Sequence, residues 1–254
     1  MTELSDFGVE THKGFVNAWE CDENDHLNIQ YYWKRFGDSA KIFHLLEDRP
    51  DRAWHDRHVR YYSELRKGAN TIVKTALCDD KSSLIHLLFD GSNGRLSATA
   101  IDTFADGYGA THQSRNMSAI PDVATPRSLP VEPLISENTA DIISSGQGIL
   151  SHRSSVTPSE CDDNGDLLDQ FYISRFSDAA SHLWDDVGLS RHWLMQQNYG
   201  GAAVEMKATR SMPVKAEMML EVVSWIFAAN NKTLSFRHQV RDMVSNQVVY
   251  NGAA

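Results

Sequence analysis

The chain has 254 residues, 41% of them hydrophobic, and a formal net charge of −10. That is enough apolar material for one large core or two small ones without disulfide support. The acidic balance argues against a general nucleic-acid binder, which needs a basic face, and no apolar run approaches the roughly 20 residues that cross a bilayer.

The three cysteines, Cys21, Cys78 and Cys161, are widely spaced, and the polar start MTELSDFGVETHKG contains no signal-like run. The expectation is a cytoplasmic protein with reduced thiols.

In chain order, KGFVNAWEC reads as a short strand. A helix beginning near Asn28 follows, with Tyr32, Phe36, Ala40 and Phe43 at helical spacing on one apolar face. Runs rich in β-branched or alternating residues then predict strands at His58–Leu65, Asn70–Cys78, Leu84–Phe89 and Leu96–Phe104, broken by the turn segments KGAN, DDKS and DGSNGR. Gly68 and Gly94 fall in two of these turns. The stretch Met117–Gly148 contains four of the seven prolines within AIPDVATPRSLPVEP, followed by small polar residues, and is expected to be a surface linker.

The same plan then returns. HRSSVTPSEC reads as a strand, Tyr172, Phe176, Ala180 and Leu183 mark a second helix, and strands are predicted at Ala203–Ser211, Met218–Ala228, Thr233–Asp242 and Gln247–Tyr250. The repetition is visible in the residues themselves: ECDENDHLNIQYYWKRFGDSA, residues 20–40, and ECDDNGDLLDQFYISRFSDAA, residues 160–180, are identical at about half their positions. Strand, long helix and a run of antiparallel strands define an α+β unit whose sheet wraps its own helix. The expected organisation is an N-terminal unit at 1–116, a Pro-rich linker at 117–150 and a C-terminal unit at 151–254.

Asp22, His26, Asn28 and Tyr32 stand at the spacing D-x-x-G-H-x-N-N-x-x-Y, and RYYSELRKGANTIVKTAL resembles the strand, Gly-containing turn and strand that accompany it. In this the chain resembles the hotdog-fold acyl-CoA thioesterases, particularly the branch that includes 4-hydroxybenzoyl-CoA thioesterase. The resemblance implies two tandem hotdog units packed as an intrachain pseudo-dimer, with a thioester hydrolysed in the groove between them. It also implies an acyl-CoA substrate, no separate cofactor, and self-association into a homodimer of double units. Asp25 replaces the glycine of the pattern and Ile29 its second asparagine. In the second copy Gly165 keeps the glycine, whereas Asp166 and Leu168 replace the histidine and asparagine.

Thioester hydrolysis needs a group that attacks or activates water and donors for the developing oxyanion. Asp22, before the helix, is the first candidate for nucleophile or general base, and a helix N-terminus supplies donors without a particular side chain. His26 would orient Asp22 or a water, Asn28 would cap the helix or touch the ligand, and Asp162 is the matching carboxylate of the second copy. The capping reading stands beside the functional one for each. Tyr32 is a candidate acyl-pocket residue, and Arg60, Arg66, Lys67, Arg210 and Lys215 are candidate partners for coenzyme A phosphates, though turn cations are more often simply solvated. Cys21 and Cys161 lack a matched Cys–His signature and read as packing residues. The pair His55 and His58 is isolated, no metal spacing occurs, and no metal is expected.

Two other functions compete. A hotdog hydratase or dehydratase would carry D-x-N-P-x-H, which Asp22, Asn24 and His26 approach without the proline and with the histidine one residue early. A non-catalytic acyl-thioester binder would need only the fold.

Overall fold

A computed structural model describes residues 6–108, 114 and 116–254. The chain divides into two units, Met1–Ser128 and Leu129–Ala254, each α+β.

In the first unit, β1 (Val9–Phe15) is followed by a 3-10 turn, Ala18–Glu20, and the long helix α1 (Ile29–Leu46). Strands β2 (Asp56–Tyr61), β3 (Asn70–Cys78), β4 (Ser83–Asp90) and β5 (Leu96–Thr103) complete an antiparallel sheet ordered β1-β3-β4-β5-β2. A two-residue strand, β6 (Met117–Ser118), runs parallel beside the end of β3.

The second unit opens with a short helix, α2 (Thr139–Ser144), and continues through β7 (Gly148–Ser155), the 3-10 turn Pro158–Glu160 and the long helix α3 (Asp169–Asp186). After a short helix α4 (Arg191–Gln196) come β8 (Glu205–Arg210), β9 (Met219–Ala229), β10 (Leu234–Asp242) and β11 (Val248–Ala253). Their antiparallel order, β7-β9-β10-β11-β8, repeats that of the first unit.

Helix and strand types therefore follow the sequence, with corrections at the edges. NAWE and PSE are 3-10 turns rather than strand, because Asn17 and Thr157 cap them reciprocally with Glu20 and Glu160. The stretch expected to be linker is partly ordered into β6, α2 and the start of β7, and the boundary between the units falls within it. Helix α4 was not read in the sequence. Its turns are short, and its apolar residues Trp193 and Met195 remain largely exposed.

Each long helix lays its aromatic face on its own sheet. Tyr32, Phe36, Ala40 and Phe43 are buried, as are Tyr172, Phe176 and Leu183, while Ala180 is only half-buried and Ala179 takes the inward place. The approach of α3 is close enough that a Cβ on Gly252 of β11 would stand 2.2 Å from the Phe176 ring. Only a residue without a side chain fits there.

Behind each helix runs a chain of buried polar groups. In the first unit the Thr11 and Thr75 hydroxyls lie 2.7 Å apart, and Thr75 meets His86 Nδ1 at 2.8 Å. His86 continues to Asp102 at 3.4 Å, and the fully buried Arg57 grips Asp102 through two hydrogen bonds of 2.6 and 2.5 Å. Burial pushes the Asp102 carboxyl up, but the Arg57 charge and hydrogen bonds overcome this and hold it far below the usual carboxylate range. In the second unit Ser151, Ser224 and His238 form the same hydroxyl–hydroxyl–imidazole chain, at 2.5 and 2.6 Å.

Two cations anchor the connecting segment to their own units. Arg60 Nη1 donates to the carbonyls of Asp122, Val123 and Thr125, and the buried Lys207 Nζ donates to those of Pro130, Val131 and Glu132 at 2.7–2.9 Å. Lys207→Met keeps the stem and strips these carbonyls of their donor. We expect it to destabilise the protein by about 3 kcal/mol in urea unfolding.

Burial alone lowers the His238 pKa to about 3, from an ordinary value of 6.5. Below 6.5 the unfolded chain takes up a proton that the native state refuses until about 3, so stability falls as pH is lowered through that window. His238→Asn, which keeps a polar atom for Ser224, should flatten the stability slope between about pH 6 and pH 4 by up to about 1 kcal/mol per pH unit, read by urea unfolding at each pH.

Candidate active site in the first unit

The loop Cys21–Asn28 is held at both ends before any reactive group is considered. Arg35, buried on α1, donates to Glu20 Oε2, to the Phe15 carbonyl at the end of β1 and to the Tyr31 carbonyl in the first turn of the helix, each at 3.0 Å. Burial pushes the Glu20 carboxyl up, but the Asn17 N–H and the Arg35 guanidinium more than offset this and keep it ionised. The strand end, 3-10 turn and helix start are thus tied to one guanidinium. The loop closes as a small hairpin, with Asp22 N–H donating to the His26 carbonyl and Leu27 N–H to the Leu65 carbonyl.

Asp22 sits inside this hairpin as its brace: Oδ1 accepts from Asn24 N–H at 2.8 Å and from His26 N–H at 3.1 Å. Asp162 does the same in the second copy, accepting from Asn164 and Asp166 at 2.9 and 3.0 Å. The position occupied by glycine in the pattern has a left-handed backbone in both copies, with φ of 60° at Asp25 and 75° at Gly165. A glycine adopts that conformation freely. Asp25 tolerates it while pairing with Lys67 at 2.8 Å.

Asn28 is the N-cap of α1, its side chain accepting from Gln30 N–H at 3.2 Å. Leu168 occupies the matching place on α3 and has no oxygen to offer. Tyr32 is buried, and its hydroxyl accepts from Leu65 N–H at 3.1 Å. It therefore fixes the turn that follows β2.

That turn carries a residue the sequence reading passed over. His26 Nε2 comes within 3.3 Å of Glu64 Oε2, close in distance but without hydrogen-bond alignment. The imidazole is mostly shielded, with 18% of its side chain exposed, whereas Glu64 is 54% exposed. A base open to solvent and a shielded imidazole beside it, next to a capped helix N-terminus, form an arrangement able to move a proton. Glu64 lies in the segment RYYSELRKG, and no spacing along the chain joins it to His26. The pairing of His26 with Arg66 across the loop brings them together.

The second copy lacks both members. Asp166 replaces the histidine and pairs with Lys215 at 2.8 Å, and Val214, whose carbonyl takes the place of Leu65's, follows Pro213 where the first copy has Glu64. The Lys215 amine also donates to the Asn164 carbonyl.

Of the cations expected to receive phosphates, Arg60 is turned onto carbonyls 122–125, Lys67 onto Asp25, and Lys215 onto Asp166. Arg210 donates to Asp169 at 2.9 Å and lies over the Tyr172 ring. Arg66 is exposed. Burial raises the Cys21 thiol pKa, which does not favour a thiolate there. Among the described residues no three His, Cys, Asp or Glu side chains gather as a metal site, and no helix is long and apolar enough to cross a membrane.

No protein-family model and no curated protein matches the chain. Solved structures do. A protein designated an oleoyl thioesterase, from Lactobacillus plantarum, superposes with a TM-score of 0.69 over 98% of this chain and 96% of its own, at 10% identity. An acyl-ACP thioesterase from Bacteroides thetaiotaomicron gives 0.60 over 95% of both chains at 12% identity. A 12:0-ACP thioesterase from Umbellularia californica gives 0.57 over 95% of this chain and 91% of its own at 11% identity. The chain shares the hotdog-type fold of these thioesterases.

Because Asp22 and Asp162 brace their loops identically, Asp22→Ala and Asp162→Ala should each cost about 1–2 kcal/mol, whereas the Asn variants, which keep Oδ1, should cost less than half as much. Urea unfolding of the four variants checks this.

Proposed function

We propose that the chain is an acyl-CoA thioesterase made of two fused hotdog units, with its working site at the Asp22–Asn28 loop of the first. The supporting observation is the His26–Glu64 pair beside the capped start of α1, both members of which are replaced in the duplicate. The likeness in fold to thioesterases agrees with this reading.

In the proposed reaction the exposed Glu64 carboxylate takes a proton from water as the water oxygen attacks the thioester carbonyl. The N-terminus of α1 stabilises the oxyanion. When the tetrahedral intermediate collapses, the C–S bond breaks and the proton returns through His26 to the leaving sulfur, giving carboxylic acid and free thiol. Asp22 holds the loop, and with it the backbone of His26. The brace uses Oδ1 alone, and the variants below distinguish this role from one in which Asp22 is itself the nucleophile or base. No cofactor enters this scheme, and the coenzyme A thioester is the substrate, small or medium in its acyl group.

The purified protein is to be assayed with short, long, aromatic and hydroxylated acyl-CoAs, an acyl-carrier-protein thioester and enoyl-CoAs, following thiol release and enoyl absorbance together. Glu64→Gln and His26→Gln should each lower kcat for thiol release by about 100-fold or more, and Asp22→Asn by about tenfold or less. Loss of activity in Asp22→Asn with Glu64→Gln near wild type would hand the chemistry to Asp22. Enoyl loss without thiol release would replace hydrolysis with hydration, and silence in every assay would leave a binding module.

A further inference from the structure

The second unit, which has no His–Glu pair at its loop, carries a groove of its own. Between β7 and α3 lies a groove of about 330 Å³, lined by His152, Ser154, Phe171, Ser174, Arg175 and Asp178 together with other small hydroxylated residues and Glu160. That volume is at the low end for small-ligand pockets.

Three of the lining residues carry a buried polar atom without a hydrogen-bond partner, His152 Nε2, Ser154 Oγ and Arg175 Nε; the first is matched by His12 Nε2 in the first unit, the other two are not. Arg175 itself is only 3% exposed. Such groups are destabilising when nothing meets them, so they mark a place where a ligand or water belongs.

The corresponding residues of the first unit differ. There Arg35 Nε donates to Thr71 at 3.4 Å, Gly14 stands where the second copy has Ser154, and Lys34 pairs with Asp38 at 2.6 Å. In the second copy Leu220 sits opposite Ser154 where Thr71 sits opposite Gly14, which leaves Arg175 Nε unpartnered. Ser174 replaces Lys34, Ser155 replaces Phe15 and Ser159 replaces Trp19, so bulk is removed and hydroxyls are added, while Asp178 keeps its charge without the lysine.

These changes also select the ligand's chemistry. Arg175 is already neutralised by Glu160, at 2.9 Å, and Asp178 adds a negative charge to the rim. Burial lowers the His152 pKa, so the imidazole adds no cation. An anion has nothing to pair with. A hydroxyl can accept from Arg175 Nε–H and donate to Asp178 or His152, and Phe171 offers an apolar face to a ring. We propose that this groove of the second unit binds a small uncharged polyol of the monosaccharide type, at a site built from none of the residues assigned to hydrolysis.

The full-length protein is to be titrated with D-glucose and D-ribose, and with inorganic phosphate and acetate as charged probes, following the His152 ring resonances by NMR. One of the sugars should shift these resonances saturably. Ser174→Lys, which restores the lysine of the first copy, and Ser154→Ala, which removes an unpartnered hydroxyl, should each weaken that binding about tenfold or more. Both variants should keep thiol release, and neither should lower the Tm. Saturation by phosphate or acetate instead of the sugars, sugar binding untouched by both variants, or no saturation by either sugar, meaning that water alone fills the groove, would each overturn the proposal.

Discussion

The Glu–Arg pair at the start of each long helix, buried in the first copy and part-buried at Glu160 in the second, is the constraint on which the rest depends. Arg35 and Arg175 each tie three elements together: the end of an edge strand, the 3-10 turn after it and the first turn of the helix. A single guanidinium can do this because its donors point in fixed directions and lose little freedom on binding. Removing either partner would leave the other's charge buried and uncompensated, so the two residues stay together in both copies. Everything between Cys21 and Asn28 hangs from that anchor. Without it, the aspartate brace and the helix cap would have no fixed frame in which to place His26.

With the frame conserved, the two copies separate what the fold needs from what the first site adds. Both retain the anchor, the aspartate brace, the left-handed residue of the loop and the tyrosine on the helix. Both also retain the hydroxyl–imidazole chain behind the helix, whose members differ in identity but not in role. His26, Glu64 and the Asn28 cap occur in the first alone. Loss of the imidazole without its carboxylate would have left Glu64 without the neighbour it meets at 3.3 Å, and the duplicate has instead installed Asp166 with Lys215.

The cations expected at a ligand mouth are mostly engaged by the protein itself: Arg60 holds carbonyls of the connecting segment, as the buried Lys207 does in the second unit, Lys67 and Lys215 pair with Asp25 and Asp166, and Arg210 is stacked on Tyr172 and paired with Asp169. Lys and Arg combine an apolar stem with several donors, so they satisfy buried carbonyls where water is excluded.

The repeat in the sequence, its helical aromatic spacing and its alternating runs were sufficient to determine two α+β units with one long helix each, and the strand of Asn70–Cys78 to the residue. Those features are local, because periodicities of 3.6 and 2 follow from the backbone alone. Asp22, His26 and Asn28 were legible for the same reason, as neighbours on one loop. What the sequence left undecided was decided by contacts across distance. Glu64 joins His26 only because the turn after β2 pairs with the loop, and Arg175 Nε is left without a partner only because Leu220 lies where its counterpart is a threonine. A site made by strand pairing has no spacing to read, since register is set by the whole sheet and not by the segment that carries the residue.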